Sequence, residues 1–568
     1  MFVLRIKFPQ ALSIVIGWAI LSIVMTILGF LNMLEKRCLL LVLFPLIATS
    51  TFFLIKERRQ VGLNSQLIMK QIGSIPGFIF LIYFVGLFYL AIFPVTEWDA
   101  VMYHLPLAKQ FFCLERITVT PFLLMPFYPA MMDLFFVISL MFEEVAFAAL
   151  TQFAMSIVLT ILIFSFCKRY TTKYVALLAP TIFITSPIIS HMSTVPYVEI
   201  SVTLFSFAAF YLMFLWIDEC KSVYVVTSGI LYGVALSSKY YSIPFFLFTM
   251  LFLLVFFWKR INKFHLMAML VLALLVSSPW YIANKYHTGS WIFPLFLPHE
   301  NNAGMWDSVD LNMVLSHTKT YGCGRGIKEF LMLPANLLLH NDKFGERPLG
   351  IFMLFSFFSI FFIKKSSKLI RVITVVLFLY LIFWFKYLQV LRYLFPVMPF
   401  MAILSALVLK NTLSYLNKHL VYLVILLALF FGFRNVADSI KDKGPLPLTR
   451  EEKTEFLSRR ISTYKAIDYL NKISNSSTLV YSLYDEGSVF YHNSRVIGQW
   501  CGIGAYRKVD VYLNRPEMLK KALKEYDADY LLVRIDRKNV ERETVSMLER
   551  GPFKIIYKDE SAFVLQIL

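Results

Sequence analysis

Charged side chains are scarce in this chain. Asp, Glu, Lys and Arg make up 16% of 568 residues, while 58% are hydrophobic and 17% aromatic. That balance leaves far more apolar surface than a soluble core of this size can bury, so it excludes a soluble enzyme and requires a lipid bilayer as partner. Cysteine is scarce as well. Cys38, Cys113, Cys167, Cys220, Cys323 and Cys501 form no C-x-x-C pair and no zinc-type spacing, which argues against a metal cluster and a disulfide framework. There is no internal repeat or low-complexity tract. Acidic residues are outnumbered, giving a net charge of +19, yet the cations are spread through loops with no basic face interleaved with aromatics, so nucleic acid is excluded as a partner. No A-x-A-like cleavage site follows the first apolar segment, which lies after Arg5 and Lys7 and is too long for a signal-peptide core; it reads as a retained helix.

What is present in abundance is apolar sequence in runs of about 17 to 25 residues, the length that crosses the hydrocarbon. Lys and Arg in the short connections assign the sides. Segments 11–33 and 39–55 return to the basic run KERR (56–59), 78–93 leads outward, and 145–166 comes back to CKRYTTK (167–173). The piece 130–142 is too short to span comfortably and is expected to lie at or dip into the outer interface. Segments 174–189, 200–217, 223–237, 243–258, 264–282, 349–363, 369–385, 393–409 and 420–433 then alternate consistently with the basic loops, giving about 11–13 transmembrane helices. The expected fold is a polytopic α-helical membrane domain over 1–433, with outer loops 94–130 and 284–348. A charged linker over 434–460 follows, and then a small extracytoplasmic α/β domain over 461–568. The last is read from an amphipathic helix (STYKAIDYLNKI), a β-branched run (STLVYSL), a helix with proline in its first turn (RPEMLKKALKEYD), a strand (DYLLVRI) and a hairpin (FKIIYKDESAFVLQIL).

On the outer side stands EWDAVMYHLPLAKQFF. Acids at a membrane boundary are expensive unless they face water or a partner, so Glu97 and Asp99, bracketed by Trp98, Tyr103 and His104, are site candidates. VPYVEI places Glu199 at the mouth of a later outward helix. SSKYY places Lys239 in the tip of an apolar hairpin, where snorkelling is the plain alternative, and LRYLFP places Arg392 at another outer helix start, where an interfacial anchor is the plain alternative. Acids from the first loop and cations from later tips would converge on one outer-leaflet pocket, which suits an anionic lipid donor held by Lys239 and Arg392 while a carboxylate activates an acceptor hydroxyl. Asp99, His104 and Glu199 offer oxygen and nitrogen ligands to a divalent metal, but no spacing requires one, and no other cofactor is implied.

EWDAVMYHLPLAKQFF, FYPAMMDLFF, VPYVEISVTLF, SSPWYIANKYHTGSWIFPLF and LRYLFPVMPF together resemble the GT-C class of membrane glycosyltransferases, specifically the bacterial protein mannosyltransferase and aminoarabinose transferase superfamily. The resemblance implies transfer of a sugar from a polyprenyl phosphate or diphosphate carrier to a lipid, glycan or protein acceptor, on the extracytoplasmic face of the plasma (inner) membrane. It maps the first-loop acid that acts on the acceptor to Asp99 and the second family acid to Glu199. The family's frequent adjacent Asp-Glu pair is here Glu97 and Asp99, split by Trp98, so both stay candidates for the base. Tyr103 and His104 would orient acceptor or sugar. Two readings from other classes are a polysaccharide polymerase or ligase, using Arg325 and Arg347 of the long outer loop, and a secondary transporter or flippase, which would place charges at mid-membrane and show related halves.

Overall fold

A computed structural model describes residues 10–56, 75–296, 308–365, 367–417, 419–485, 488–499, 502–536 and 542–567. Arg5, Lys7, most of the first basic run and part of the long loop lie outside the described residues. Every segment read as a span is helical. Among the described residues seven helices are long and apolar enough to cross a bilayer, and six shorter apolar helices stand beside them. The helix Glu199–Glu219 is apolar on all sides and 94% of its apolar window is buried, so it forms the middle of the bundle. The helices Lys263–Thr288 and His419–Lys443 are equally apolar yet only 28% buried. Their outward residues, including Phe264, Leu275 and Phe430, are the surface that lipid tails cover.

Close helix approach fixes the tip that carries Lys239. A Cβ at Gly229 would lie 2.6 Å from the Met269 carbonyl oxygen, and one at Gly233 would lie 2.6 Å from the Val276 Cβ. Only glycine at these two positions lets Ser222–Leu236 pack directly on Lys263–Thr288, the small-residue contact that membrane helices use. The end of that helix is then pinned: the Tyr281 hydroxyl donates to the Leu236 carbonyl at 3.0 Å, and the Met131 N–H donates to the Ser237 carbonyl at 3.0 Å.

The segment 130–142, expected at or dipping into the outer interface, forms the short helix Leu134–Met141, which buries Leu134, Phe136 and Val137 and packs on the helices Leu105–Cys113 and Ala146–Tyr170. Ser139, its one polar side chain, donates to the Phe136 carbonyl at 2.7 Å and so is satisfied within the helix.

The stretch read as a linker, 434–460, is largely helical. His419–Lys443 runs on into it as far as Lys443, and Arg450–Arg460 is a helix begun by a capping box, in which Thr449 accepts from the Glu452 N–H at 3.2 Å and Glu452 accepts from the Thr449 N–H at 3.0 Å. Phe456, Leu457 and Ile461 bury themselves against Phe93.

Beyond it lies the α/β domain. Strands β1 (Leu479–Leu483), β2 (Arg495–Gly498), β3 (Tyr530–Arg534), β4 (Lys554–Lys558) and β5 (Ala562–Gln566) form one five-stranded sheet in the order β2-β1-β3-β5-β4. β1 runs parallel to β2 and β3, and β5 antiparallel to β3 and β4.

This domain grips the first loop of the bundle. The Tyr491 hydroxyl donates to the Val95 carbonyl at 2.6 Å, and the Lys109 ammonium donates to the carbonyls of Phe490 at 3.2 Å and His492 at 2.8 Å. Phe122 packs into the core of the sheet, and Arg507 pairs with buried Asp310 at 2.9 Å. Lys109→Met keeps the apolar stem but leaves two part-buried carbonyls without their donor, a loss of about 1–3 kcal/mol. The expected outcome is faster amide hydrogen exchange over 93–113 and a lower unfolding temperature of the full chain; unchanged exchange there would show that the domain does not order this loop.

Candidate active site

The loop that the domain grips has an unusual local geometry. The Val101 N–H donates to the Glu97 carbonyl at 3.1 Å, and from Ala100 to His104 the chain makes a π-helical turn in which the Leu105 N–H reaches back to the Ala100 carbonyl. Such wide turns collect at functional sites because the extra residue re-aims side chains. An ordinary helix, Leu105–Cys113, with Pro106 in its first turn, then carries the chain away. The turn sets Tyr103 against Asp99, with the Tyr103 hydroxyl donating to Asp99 Oδ2 at 3.0 Å.

Three remote segments close on that pair. Arg392, in the first turn of Leu391–Val397, forms an ion pair with Asp99 Oδ2 through its terminal guanidinium nitrogen. Lys239 does not snorkel away from the protein: its ammonium donates to the Tyr103 hydroxyl at 3.0 Å and lies 5.1 Å from the ring centroid. Glu346, from the long loop, places a carboxylate oxygen 3.4 Å from Arg392 Nε. Glu199 sits buried at the first turn of the central helix, with one oxygen accepting from the Val198 N–H at 3.1 Å and the other without a partner among the described residues. Its charge acts on Tyr103 and on Glu346. Tyr197 completes the wall, its hydroxyl accepting from the Asp99 N–H at 3.2 Å.

Of the residues singled out in the sequence, Asp99, Tyr103, Lys239, Arg392 and Glu199 therefore meet at one end of the bundle. Two turn elsewhere. Glu97 pairs with Lys443 at 3.4 Å and lies beside His191. His104 is fully buried, with Nδ1 2.5 Å from Asp133 Oδ1 and Nε2 without a partner among the described residues. It is tied to Asp133 rather than to Asp99 and Glu199. No group of three His, Cys, Asp or Glu side chains gathers as metal ligands among the described residues. Arg325 hydrogen-bonds to the backbone of Lys386 and Lys319. Arg347 follows Glu346 in sequence, and its charge bears on His191.

Burial and pairing set the charges. Burial alone would raise the Asp99 carboxyl, but the Arg392 guanidinium, and after it Lys239, outweigh burial and hold it below the usual carboxylate range. Glu97 behaves alike, burial being outweighed by Lys443 and His191. Glu346 is the exception. Burial dominates, Arg392 offsets it only in part, and Asp99 and Glu199 add repulsion, so its carboxyl is pushed up to about 7. Burial drives His191 down to about 4 despite Glu97.

Glu346, Tyr197, Asp133 and Lys443 were not found in the sequence. Asp133 stands inside FYPAMMDLFF, where an acid in an apolar run was a usable signal. The others carry none, since a Glu in a polar loop, a Tyr near a boundary and a Lys at a helix end are each ordinary.

Residues 121–282 match the family model described as dolichyl-phosphate-mannose-protein mannosyltransferase, and residues 452–566, the α/β domain with the helix before it, match a family described as SF2091/S2213. No curated protein matches the chain. Among solved structures, ArnT from Cupriavidus metallidurans bound to undecaprenyl phosphate aligns over 87% of this chain and 99% of its own, with a TM-score of 0.57 at 12% identity. The apo structure of the same protein covers 86% and 97%, with a TM-score of 0.59 at 12% identity. The chain is thus a polytopic α-helical membrane protein with the fold of ArnT and, over 121–282, a sequence like that of the dolichyl-phosphate-mannose-protein mannosyltransferases, the resemblance that its loop motifs carry.

Proposed function

We propose that the chain is an inverting glycosyltransferase that moves a sugar from a polyprenyl phosphate or diphosphate carrier to a lipid, glycan or protein acceptor on the extracytoplasmic face of the membrane. The observation that carries this reading is the meeting of Asp99, Lys239 and Arg392 around Tyr103, drawn from segments far apart in the chain to one end of the bundle. That end also bears the α/β domain. ArnT has the same fold and is a structure with undecaprenyl phosphate bound, which supports a phosphorylated polyprenyl donor. All the charges of the site stand at helix ends or in loops, which favours an enzyme at the lipid surface over a transporter.

In this reading Asp99 takes the proton of the acceptor hydroxyl as that oxygen forms its bond to C1 of the sugar. The bond from C1 to the carrier phosphate breaks on the opposite side, and its electron pair leaves with the phosphate oxygen. Arg392, with a planar fork matched to two oxygens, and Lys239, a point charge, would neutralise the departing group. Glu199, with an oxygen unspent, would orient the sugar. While Arg392 sits on Asp99 the carboxylate is a poor base. A donor phosphate that draws the guanidinium toward itself removes that restraint, so the base becomes competent only when the donor is in place. Between the two acids of the split motif, geometry favours Asp99, because Glu97 is spent on Lys443.

Asp99→Asn is expected to lower the transfer rate by ~10²–10⁴-fold and Glu97→Gln by much less, measured on purified protein with lipid-linked sugar. Transfer by Asp99→Asn at the wild-type rate would remove the assignment. Lys239→Gln should weaken donor binding and slow transfer, while Lys239→Arg restores it only in part, since a fork cannot stand where a point charge stood. A donor titration at fixed acceptor checks this, and unchanged donor affinity and turnover in both variants would leave Lys239 as a buried partner of Tyr103 and nothing more.

A further inference from the structure

Arg392 has two edges, and they are held very differently. One terminal nitrogen is committed to Asp99. The Nε edge faces Glu346 at 3.4 Å, yet its N–H completes no hydrogen bond among the described residues. A buried guanidinium N–H left without an acceptor is costly, and a fork of this kind is shaped to take two oxygens of a phosphate. We propose that Glu346 is a placeholder for the donor phosphate: it faces the open edge of Arg392 while the donor is absent and gives that edge up when the donor arrives. The inference rests on the reading of Arg392 as a phosphate-binding residue.

The backbone around Glu346 is built to keep it there. Phe344 is fully buried and stacks on Trp384 with centroids 5.9 Å apart and planes at 20°. Gly345 adopts φ +73°, and a Cβ there would sit 2.5 Å from the Tyr321 ring, so only glycine fits the turn. On the other side the Pro348 carbonyl accepts from the Ile188 N–H at 3.1 Å and the Leu349 carbonyl accepts from the Ser186 hydroxyl at 2.6 Å. The segment is clamped at both ends with the carboxylate aimed at Arg392 between them.

The electrostatics explain why Glu346 yields before Asp99 does. The charged or titratable groups facing Glu346 are Arg392, Asp99, Glu199 and Tyr197. One cation stands against two further carboxyls. Glu346 can therefore shed its charge near neutral pH, whereas Asp99 keeps its own. Below the raised Glu346 value the carboxyl is neutral and Arg392 is open to an incoming anion. Above it an ionised Glu346 competes with that anion. Donor affinity should then fall as pH rises through about 7.

The test is equilibrium binding of undecaprenyl methyl phosphate to the purified full chain at pH 6 and pH 8. This probe is a phosphodiester whose single charge does not change over that range, and it cannot react. Wild type is expected to bind more weakly at pH 8 by up to about tenfold, the change in the fraction with Arg392 open. Glu346→Gln should bind equally at both pH values and match wild type at pH 6. Glu346→Asp, which keeps the charge, should retain a pH dependence. A flat wild-type profile overturns the inference without any variant, and so does a Glu346→Gln protein that binds no more tightly than wild type at pH 8. Arg392→Gln should lose binding at both pH values. If it binds the probe as wild type does, the phosphate role of Arg392 fails, which is a separate result.

Discussion

A carboxylate buried at the edge of a membrane protein cannot stand alone, and the structure around Asp99 follows from that. Its residue is 4% exposed, and an uncompensated charge in such a place would cost several kcal/mol. Compensation comes from Arg392, 293 positions away in sequence, and from the Tyr103 hydroxyl, itself braced by Lys239. The π-helical turn, the hairpin tip after Ser222–Leu236 and the helix start at Leu391 are each positioned so that these groups meet. Replacing the whole set by apolar side chains would be tolerated more readily by the fold than removing one member. The set is therefore better explained by chemistry than by stability.

The α/β domain extends the same constraint outward. Its contacts fall on the backbone at Val95, on Lys109, on Phe122 and on Asp310, which lie in the loops that carry or flank the site and scarcely on the spanning helices. Loops are the least stable parts of a helical bundle, because they bury few apolar contacts and expose their backbone hydrogen bonds. A domain that hydrogen-bonds them on either side of Asp99 supplies rigidity where the bundle has little. The Glu97–Lys443 pair does similar work from the opposite side, joining the loop to the end of the last long helix.

The split between what the sequence disclosed and what it withheld follows interaction range. Hydropathy is local, so every span could be read, and the helix and most of the strand patterns of the α/β domain were legible for the same reason. β2 was missed because four residues of Arg-Val-Ile-Gly carry too little pattern. The helix Arg450–Arg460 does carry a local signal, since Thr449 followed by Glu452 is a capping box, but its dense charge gives it the composition of a linker. At the site, the sequence supplied the cations and two of the acids. It could not supply Glu346, whose meaning lies wholly in standing 3.4 Å from Arg392. Nor could it say that Glu97 and Asp99, two residues apart, point to different partners, because a π-helical turn begins just after them and has no sequence signature of its own.

Three carboxyls, Asp99, Glu199 and Glu346, stand around two cations, Lys239 and Arg392. With all five ionised the site has an excess of one negative charge, and a phosphate entering it would add another in a poorly screened place. A site of that composition rejects anions unless a carboxyl can be neutralised. The structure makes the three unequal: Asp99 shares an ion pair and a hydrogen bond, Glu199 accepts from the start of a helix, and Glu346 has only the far edge of a guanidinium already engaged. The least supported carboxyl is also the one on a loop, where losing its charge disturbs no spanning helix. If Arg392 takes the donor phosphate as proposed, such a site would stay closed to ions of the wrong shape and open to one that offers Arg392 two oxygens in place of a single distant one.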